Sequence, residues 1–434
     1  MKQFWIGVVC LTCVWKPLTA QESLSLQEAV SVALEKNFDI RIARNEAAVA
    51  KQQNSAGEAG MLPQIMLNLD QSNSLNNIRQ EFINGNTLEN PNAGQQALNM
   101  SVQMNWTVFD GLGMFTNQRR LNELEKLGAL QARAMVEQVM AEVTMTYYEV
   151  VQRMQQMLLA EKSVAISRER LELAQQRYEL GSSSRMEFLQ ARVDYNADQT
   201  AYLQQVEQLQ QSKIELNKLL GRDVTLHFIP ADTLPVLVEL DYARLRQQAE
   251  KQNTWLAVAG MNQEIARLNR QLMGNQMLPR IDLLGGYHIN RLQSEAGFLA
   301  SNQNRGLDFG VRATMPVFDG FRMQRQRQIA RIHIENAELV FEQQKQEVMA
   351  GISATYTAYE HNRLLVAMES ENLEVAVQNL DIAQERYRLG ALAAIEMREA
   401  QRQLVAAESR LIQARFLLML NRTELLRLSG QLLD

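Results

Sequence analysis

The side chains that could do chemistry are few and scattered. The four histidines, His227, His288, His333 and His361, have no spacing that would bring two imidazoles to one metal ion. There is no glycine-rich phosphate loop and no nucleophile elbow. Cys10 and Cys13 have the CxxC spacing of a zinc or redox pair, but both lie in an apolar N-terminal stretch. The chain has 21 methionines, and Met135, Met140 and Met145 recur every five residues, which spreads them around a helix instead of along one face. They read as adaptable packing and not as ligands for a soft metal. This inventory points away from an enzyme and calls for no cofactor and no metal. Function must then come from the elements.

Residues 1–20 read as a secretory signal peptide. Lys2 supplies the charge, Phe4 to Val14 the apolar core, and Leu18-Thr19-Ala20 the small residues before Gln21. Without Lys2 and Lys16 the 44 basic residues fall to 42 against 49 acidic ones, a net charge of −7 that argues against a nucleic-acid binder. No apolar run after residue 20 is long enough for a transmembrane helix. If the exported chain enters a membrane, it does so as strands.

The rest is a tandem repeat. From Gly113 to Leu180 there is no proline and, after Gly113, only one glycine, Gly128. A helix of that length rises roughly 100 Å. Its apolar seam is Val136, Val139, Val143, Tyr147, Val150, Met154 and Met157, stepping by three and four. The run ends in Ala174-Gln175-Gln176-Arg177-Tyr178-Glu179-Leu180-Gly181. The second copy ends in Ala383-Gln384-Glu385-Arg386-Tyr387-Arg388-Leu389-Gly390, identical at six of the eight positions. Ser182-Ser183-Ser184 then turns the chain into a returning helix that ends at Gly221, a helical hairpin. Val317-Phe318-Asp319-Gly320 repeats Val108-Phe109-Asp110-Gly111 at an offset of 209, and Met277-Leu278-Pro279 repeats Met61-Leu62-Pro63 at an offset of 216. The seven extra residues of the first copy fall between its two strands. The divisions are a first repeat over 21–229, a linker over 230–240 containing Pro230 and Pro235, and a second repeat over 241–434.

Between the helices the period changes. Val102, Met104, Trp106 and Val108 alternate with Ser101, Gln103, Asn105 and Thr107. Leu307, Phe309, Val311, Ala313 and Met315 alternate with Gly306, Asp308, Gly310, Arg312 and Thr314. Ile65, Leu67 and Leu69 begin another alternation, residues 71–97 read as a loop with ragged strand ends, and Asp110 is placed to cap the long helix. A helical stretch before this strand breaks at Asn37. One apolar and one polar face fit a membrane strand. Trp106, Phe109, Tyr287, Phe309 and Phe318 are candidates for lipid contact, and Gln103, Asn105, Asp308 and Arg312 for a lumen. Four strands cannot close a barrel, and their edges would leave backbone groups unpaired in hydrocarbon. Three copies would give twelve strands and a passage.

With these features the chain resembles the TolC-like outer-membrane efflux channels. The resemblance rests on the paired Leu-Pro strand entries, the paired Phe-Asp-Gly junctions, the paired tips and the opening Leu24-Ser25-Leu26-Gln27-Glu28-Ala29-Val30. It covers nearly all of the chain after residue 20. It implies a mixed α and transmembrane β fold: a homotrimer whose twelve-stranded β-barrel continues as an α-helical tunnel through the periplasm of a Gram-negative cell. It also implies a passive exit duct that works with a periplasmic adaptor (membrane fusion protein) and an inner-membrane pump. By position, the resemblance assigns a gate to Glu396, Glu399 and Tyr387, with Glu187 as a possible partner, and places Leu392 where some members carry a gate arginine. It assigns adaptor contact to Leu180, Gly181, Ser182, Leu389, Gly390 and Ala391. The other reading is a periplasmic coiled-coil adaptor or structural protein without a pore.

Overall fold

The computed structural model describes residues 22–234, 239–296 and 299–432. The expected signal peptide, with Cys10 and Cys13, lies outside the described residues, as does the 235–238 part of the linker. In chain order the elements are β1 (Glu22–Leu24), α1 (Leu26–Lys36), α2 (Phe38–Gln53), β2 (Gln64–Glu81), β3 (Thr87–Asp110), α3 (Gly113–Glu179) and α4 (Arg185–Leu219). They continue with β4 (Phe228–Pro230), α5 (Tyr242–Gln252), α6 (Thr254–Asn275), β5 (Arg280–Ser294), β6 (Ser301–Thr314), α7 (Arg322–Arg388) and α8 (Ala394–Ser429). Helices α3 and α7 are each 67 residues long, as the repeat predicts. The chain divides into two compact units, one built on Ile42–Met135 and Gln248–Ala350, the other on Val136–Gln247 and the residues from Gly351 onward, with the N-terminal helix.

The first of these units holds a four-stranded antiparallel sheet in the order β2-β3-β5-β6. Its register pairs Asn68 with Ser101, Gln103 with Gly286 and Gly286 with Asp308, so one polar face runs across all four strands. The opposite face carries Ile65, Leu67, Leu69, Val102, Trp106, Tyr287, Leu307, Phe309 and Val311, all exposed. An apolar sheet face this large is left bare only where lipid or another subunit covers it. Trp106 anchors itself by donating its indole N–H to the Met61 carbonyl oxygen at 2.9 Å.

Three local expectations need correction. Residues 71–97 are mostly strand, not loop: β2 and β3 pair as far as Glu81 and Thr87, well past the last β3–β5 pair at Gln95 and Ser294. The Asn, Gln and Ser side chains there hide the alternation, while the backbone pairing that makes the ribbon does not depend on them. Val108 does not continue the apolar face. A bulge between Thr107 and Phe109 makes it the extra residue, and this sets Phe109 opposite Ile281 on the apolar side and Asp110 opposite Arg280. Asp110 is the last residue of the strand; its carboxylate lies against Gly113 at the start of α3 but accepts no helix N–H among the described residues. Its repeat mate Asp319 does cap a helix, accepting the Met323 N–H at 2.9 Å. Both junctions turn through two successive left-handed residues, Gly111 and Leu112 in the first copy and Gly320 and Phe321 in the second. A non-glycine residue there carries strain of roughly 1–2 kcal/mol.

The second unit is helical, with a small parallel β1–β4 pair. The break at Asn37 is present: the buried side chain donates to the Leu219 carbonyl at 2.8 Å and accepts the Ile40 N–H at 3.1 Å, ending α1 and starting α2. The seam of α3 is buried at Val139, Val143, Tyr147 and Val150. Buried Tyr147 is also a polar anchor. Its hydroxyl lies 2.9 Å from the Leu24 carbonyl oxygen and 2.8 Å from Asp232 Oδ2, and Asp232 also accepts the Leu26 N–H at 2.8 Å. One phenol thus ties the N-terminal strand and the start of the linker to the long helix. Burial and the nearby Asp232 carboxylate push its pKa up, so it stays a donor at any physiological pH. Tyr147→Phe leaves these acceptors short of a donor and is expected to destabilise the protein by about 1–3 kcal/mol. Thermal unfolding in detergent, compared with wild type, checks this; an unchanged midpoint would show that the anchor carries no stability.

Candidate functional site at the helical tips

Both hairpin tips of the helical unit are built in the same way. In the first, the Gly181 N–H donates to the Tyr178 carbonyl at 3.0 Å and the Ser182 N–H to the Arg177 carbonyl at 2.9 Å. In the second, Gly390 donates to Tyr387 at 3.0 Å and Ala391 to Arg386 at 2.8 Å. These are Schellman closures, and the φ values of 74° at Gly181 and 76° at Gly390 are why glycine stands there. Ser184 then caps α4, accepting the Glu187 N–H at 3.2 Å. Alanine stands at the matching position of α8, so Glu396 takes over, its carboxylate reaching back to the Ala393 N–H at 3.2 Å.

The sequence-predicted residues fall into three groups. Tyr387 and Glu187 meet: the buried Tyr387 hydroxyl donates to Glu187 Oε1 at 3.2 Å. Burial and then the Glu187 charge raise the pKa of Tyr387, which keeps the donor in place. Glu396 and Glu399 are exposed and, among the described residues, bond to neither of those two. Glu399 accepts from Gln403 at 3.3 Å and faces Arg402 at 3.9 Å. The tip residues Leu180, Gly181, Ser182, Leu389, Gly390 and Ala391 are all exposed. Leu392 packs against the buried cluster around Tyr387, Met397 and Leu404, so it fills apolar space where an arginine would have offered charge.

Several residues at the site were not singled out from the sequence. The Arg177 guanidinium stacks 4.8 Å from the Tyr387 ring centroid and donates to the Tyr387 carbonyl at 2.5 Å, while Arg388 pairs with Glu169 of α3. Deeper along the helices lies a buried polar network joining α3, α4 and α8. Arg398 grips Asp198 through two bonds of 2.6 and 2.9 Å, and Ser167 also donates to Asp198. The Gln401 amide, fully buried, sits 3.0 Å from the Ser163 carbonyl and from the Ser167 hydroxyl and 3.1 Å from Asp198. Burial alone would raise the Asp198 carboxyl, but the bonds from Arg398 and Ser167 outweigh it and hold the group below the usual carboxylate range. Next to it the buried Arg170 pairs with Asp194 at 2.7 Å. Asp198 and Arg398 are 200 residues apart, and no local pattern marks them as partners. Met186 and Ile395, both highly exposed one turn in from the tips, are legible in hindsight, since they stand 209 residues apart like the tip leucines. Between the two tips is a cavity of about 1160 Å³, lined by Met186, Glu187, Leu389, Ile395 and Arg402 among others.

The arrangement resembles known proteins. The family model of the outer membrane efflux protein matches residues 29–222 and 245–431. Among curated relatives, the alkaline protease secretion protein AprF of Pseudomonas aeruginosa is 22% identical over 307 residues, covering 69% of this chain and 62% of AprF. Protein CyaE of Bordetella pertussis is 24% identical over 322 residues, covering 72% of this chain and 66% of CyaE. The chain thus matches just under two thirds of the length of each. Among solved structures, the CmeC outer membrane channel of Campylobacter jejuni superimposes with a TM-score of 0.76 at 15% identity, covering 94% of this chain and 86% of CmeC. The outer membrane protein VceC of Vibrio cholerae does so with 0.73 at 15% identity, covering 93% and 96%. Two helical-hairpin repeats, a four-stranded sheet with a bare apolar face and a family match over both repeats lead to one conclusion: this chain belongs to the outer membrane efflux protein family, channels of the outer membrane with a periplasmic helical extension.

Proposed function

We propose that this protein is the outer-membrane exit duct of a tripartite efflux or type I secretion system, working as a homotrimer with a periplasmic adaptor and an inner-membrane pump. Residues 1–20 are then a signal peptide removed on export, and 21–229 and 241–434 are two channel repeats joined by 230–240. The observation that carries the reading is the four-stranded sheet with one polar and one exposed apolar face, joined to two 67-residue helices. Members of the family are non-enzymatic channels that function as trimers in tripartite systems. A pore-less coiled-coil protein would have no use for such a sheet.

The gate reading assigns two roles at the tips. Glu396 and Glu399, exposed at i and i+3 at the start of α8, form a ring of six carboxylates in the trimer, which favours cations and repels anions. The Tyr387–Glu187 bond, the Arg177 clamp and the partly buried Asp198–Arg398 link hold the second-repeat hairpin against the first, and opening must break them. The exposed apolar tips Leu180 and Leu389, flanked by Gly181, Ser182, Gly390 and Ala391, are the adaptor contact.

Three outcomes follow for single channels in planar bilayers. Glu396→Gln with Glu399→Gln keeps the helix cap but removes the charge, and is expected to weaken block by multivalent cations several-fold; undiminished block would remove the ring. Tyr387→Phe, which deletes one bond worth about 1–2 kcal/mol, is expected to lengthen open dwell times. Asp198→Asn should lengthen them further, because it strands a partly buried guanidinium; dwell times equal to wild type in both variants would overturn the lock. The pH dependence has a definite sign. The Asp198 carboxyl is depressed in the folded state, so its contribution is complete above the unfolded value of about 4 and fades only as the pH falls through the lower folded value. Opening that sets in between pH 7 and 5 would have to come from another group.

A further inference from the structure

The two strand-to-helix junctions differ in what covers them. A Cβ added at Gly111 would lie 2.4 Å from the Asn275 carbonyl oxygen and 2.5 Å from Leu278 Cβ, so this junction is docked on the corner that leads into β5. Gly320, 209 residues later, has the same φ of 68° and nothing within 4 Å. Val317 is 93% exposed against 40% for its mate Val108, and Phe318 is 76% exposed. The corner is duplicated too: Leu62, 216 residues before Leu278, is 58% exposed against 45% for Leu278. Each chain therefore has one docked seam, β3 on β5, together with an uncovered junction beside edge strand β6 and, beside edge strand β2, a corner that no second junction covers and whose Met61 carbonyl is held by Trp106.

We propose that the free edge of one protomer joins the free edge of the next in the register of the internal seam, and that Arg312 thereby pairs with Asp70 of the partner subunit. The proposal rests on the homotrimer reading and gives it a specific interface. The internal seam sets Gln103 opposite Gly286 and Phe109 opposite Ile281. Moving the first member of each pair forward by 209 and the second back by 216 sets Arg312 opposite Asp70 of the partner subunit and Phe318 opposite Ile65 of the partner subunit. The polarity matches, since Arg312 and Asp70 both belong to the polar face and Ile65 to the apolar one; Phe318, beyond the end of β6, joins Ile65 on the apolar side if the bulge at Val108 is repeated at Val317.

Charge selects the same register independently. Between Gln64 and Ser74, Asp70 is the one charged residue on the polar face of β2, and Arg312 is the one basic residue on that face of β6. Among the described residues neither forms a salt bridge within 4 Å in its own chain, and Arg312 acts on Asp282, directly opposite it on β5, only at longer range. Asp282, the carboxylate facing Arg312 from β5, is already bonded to Arg280 at 2.9 Å and to Thr107 at 2.7 Å. A slip of two residues would face Arg312 with Asn68 or Ser72, and a slip of one would turn the apolar side chains of one strand into the lumen.

Cysteine pairs in the full chain test the register, because directly opposed strand residues fall within disulfide range. Under mild oxidation in membranes, Asp70→Cys with Arg312→Cys is expected to yield covalent trimers on denaturing gels. Asn68→Cys or Ser72→Cys with Arg312→Cys should give at least ten-fold less. If a displaced pair cross-links better, or none does in a protein that still has the mass of a trimer, the register is overturned while the trimer stands. If no pair cross-links and the detergent-corrected mass is that of one chain, the homotrimer reading falls with it. Charge reversal tests the ion pair without a disulfide: Asp70→Arg should reduce the detergent-resistant trimer several-fold, and adding Arg312→Asp should restore it. No recovery in the double variant would overturn the pair.

Discussion

In hydrocarbon a backbone N–H or carbonyl group without a partner costs several kcal/mol, and this constraint governs the rest of the molecule. The sheet satisfies its three internal seams but ends in two open edges, β2 and β6. A soluble protein could blunt such edges with charge, proline or a covering helix. Here the edges stay long, broken only by a register shift between Asn76 and Ile78 near the far end of β2, and the neighbouring apolar face is bare. The chain is therefore incomplete as a single molecule in a membrane.

The helical unit divides its stabilisation in two. The α3 seam of Val139, Val143 and Val150 is dry and apolar, the packing expected of an interface that stays closed. Toward the tips polar contacts join the apolar cluster of Leu380, Met397 and Leu404: Ser163, Ser167, Asp198, Arg398 and Gln401 form a largely buried network beside it. Such a network contributes less net stability than hydrophobic packing of equal volume. It is also more directional, because each member needs its partner at hydrogen-bond distance. A region that must separate and re-form in one register suits that chemistry.

The architecture was legible in the sequence because its signals are long. Two proline-free runs, two glycine-ended tips and strands alternating over eight or more residues all survive inspection of a single sequence. Features set by only one or two residues were less legible. The bulge at Val108 reverses strand parity without any glycine or proline to mark it. The long ribbon from β2 to β3 was obscured because a strand with polar residues on both faces has no hydrophobic period. At the tips, Tyr387 and Glu187 could be named by position, whereas Asp198 with Arg398 depends on which helix faces are brought together, and that is fixed by tertiary packing alone.

Glycines with left-handed φ at positions 181, 221, 390 and 430 close the four helices of the two hairpins, each with the same pair of backbone bonds. The bonds are made by the main chain, so almost any side chain can occupy the surrounding turns, but no ordinary L-residue can take the glycine's place without strain. The result is a scaffold defined by handedness at a few points and by periodicity between them. That separation helps explain how chains only 15–18% identical to this one superimpose over nine tenths of its length. It also leaves the tip surface chemically free, so one rigid hairpin end could be resurfaced for a new neighbour without being refolded.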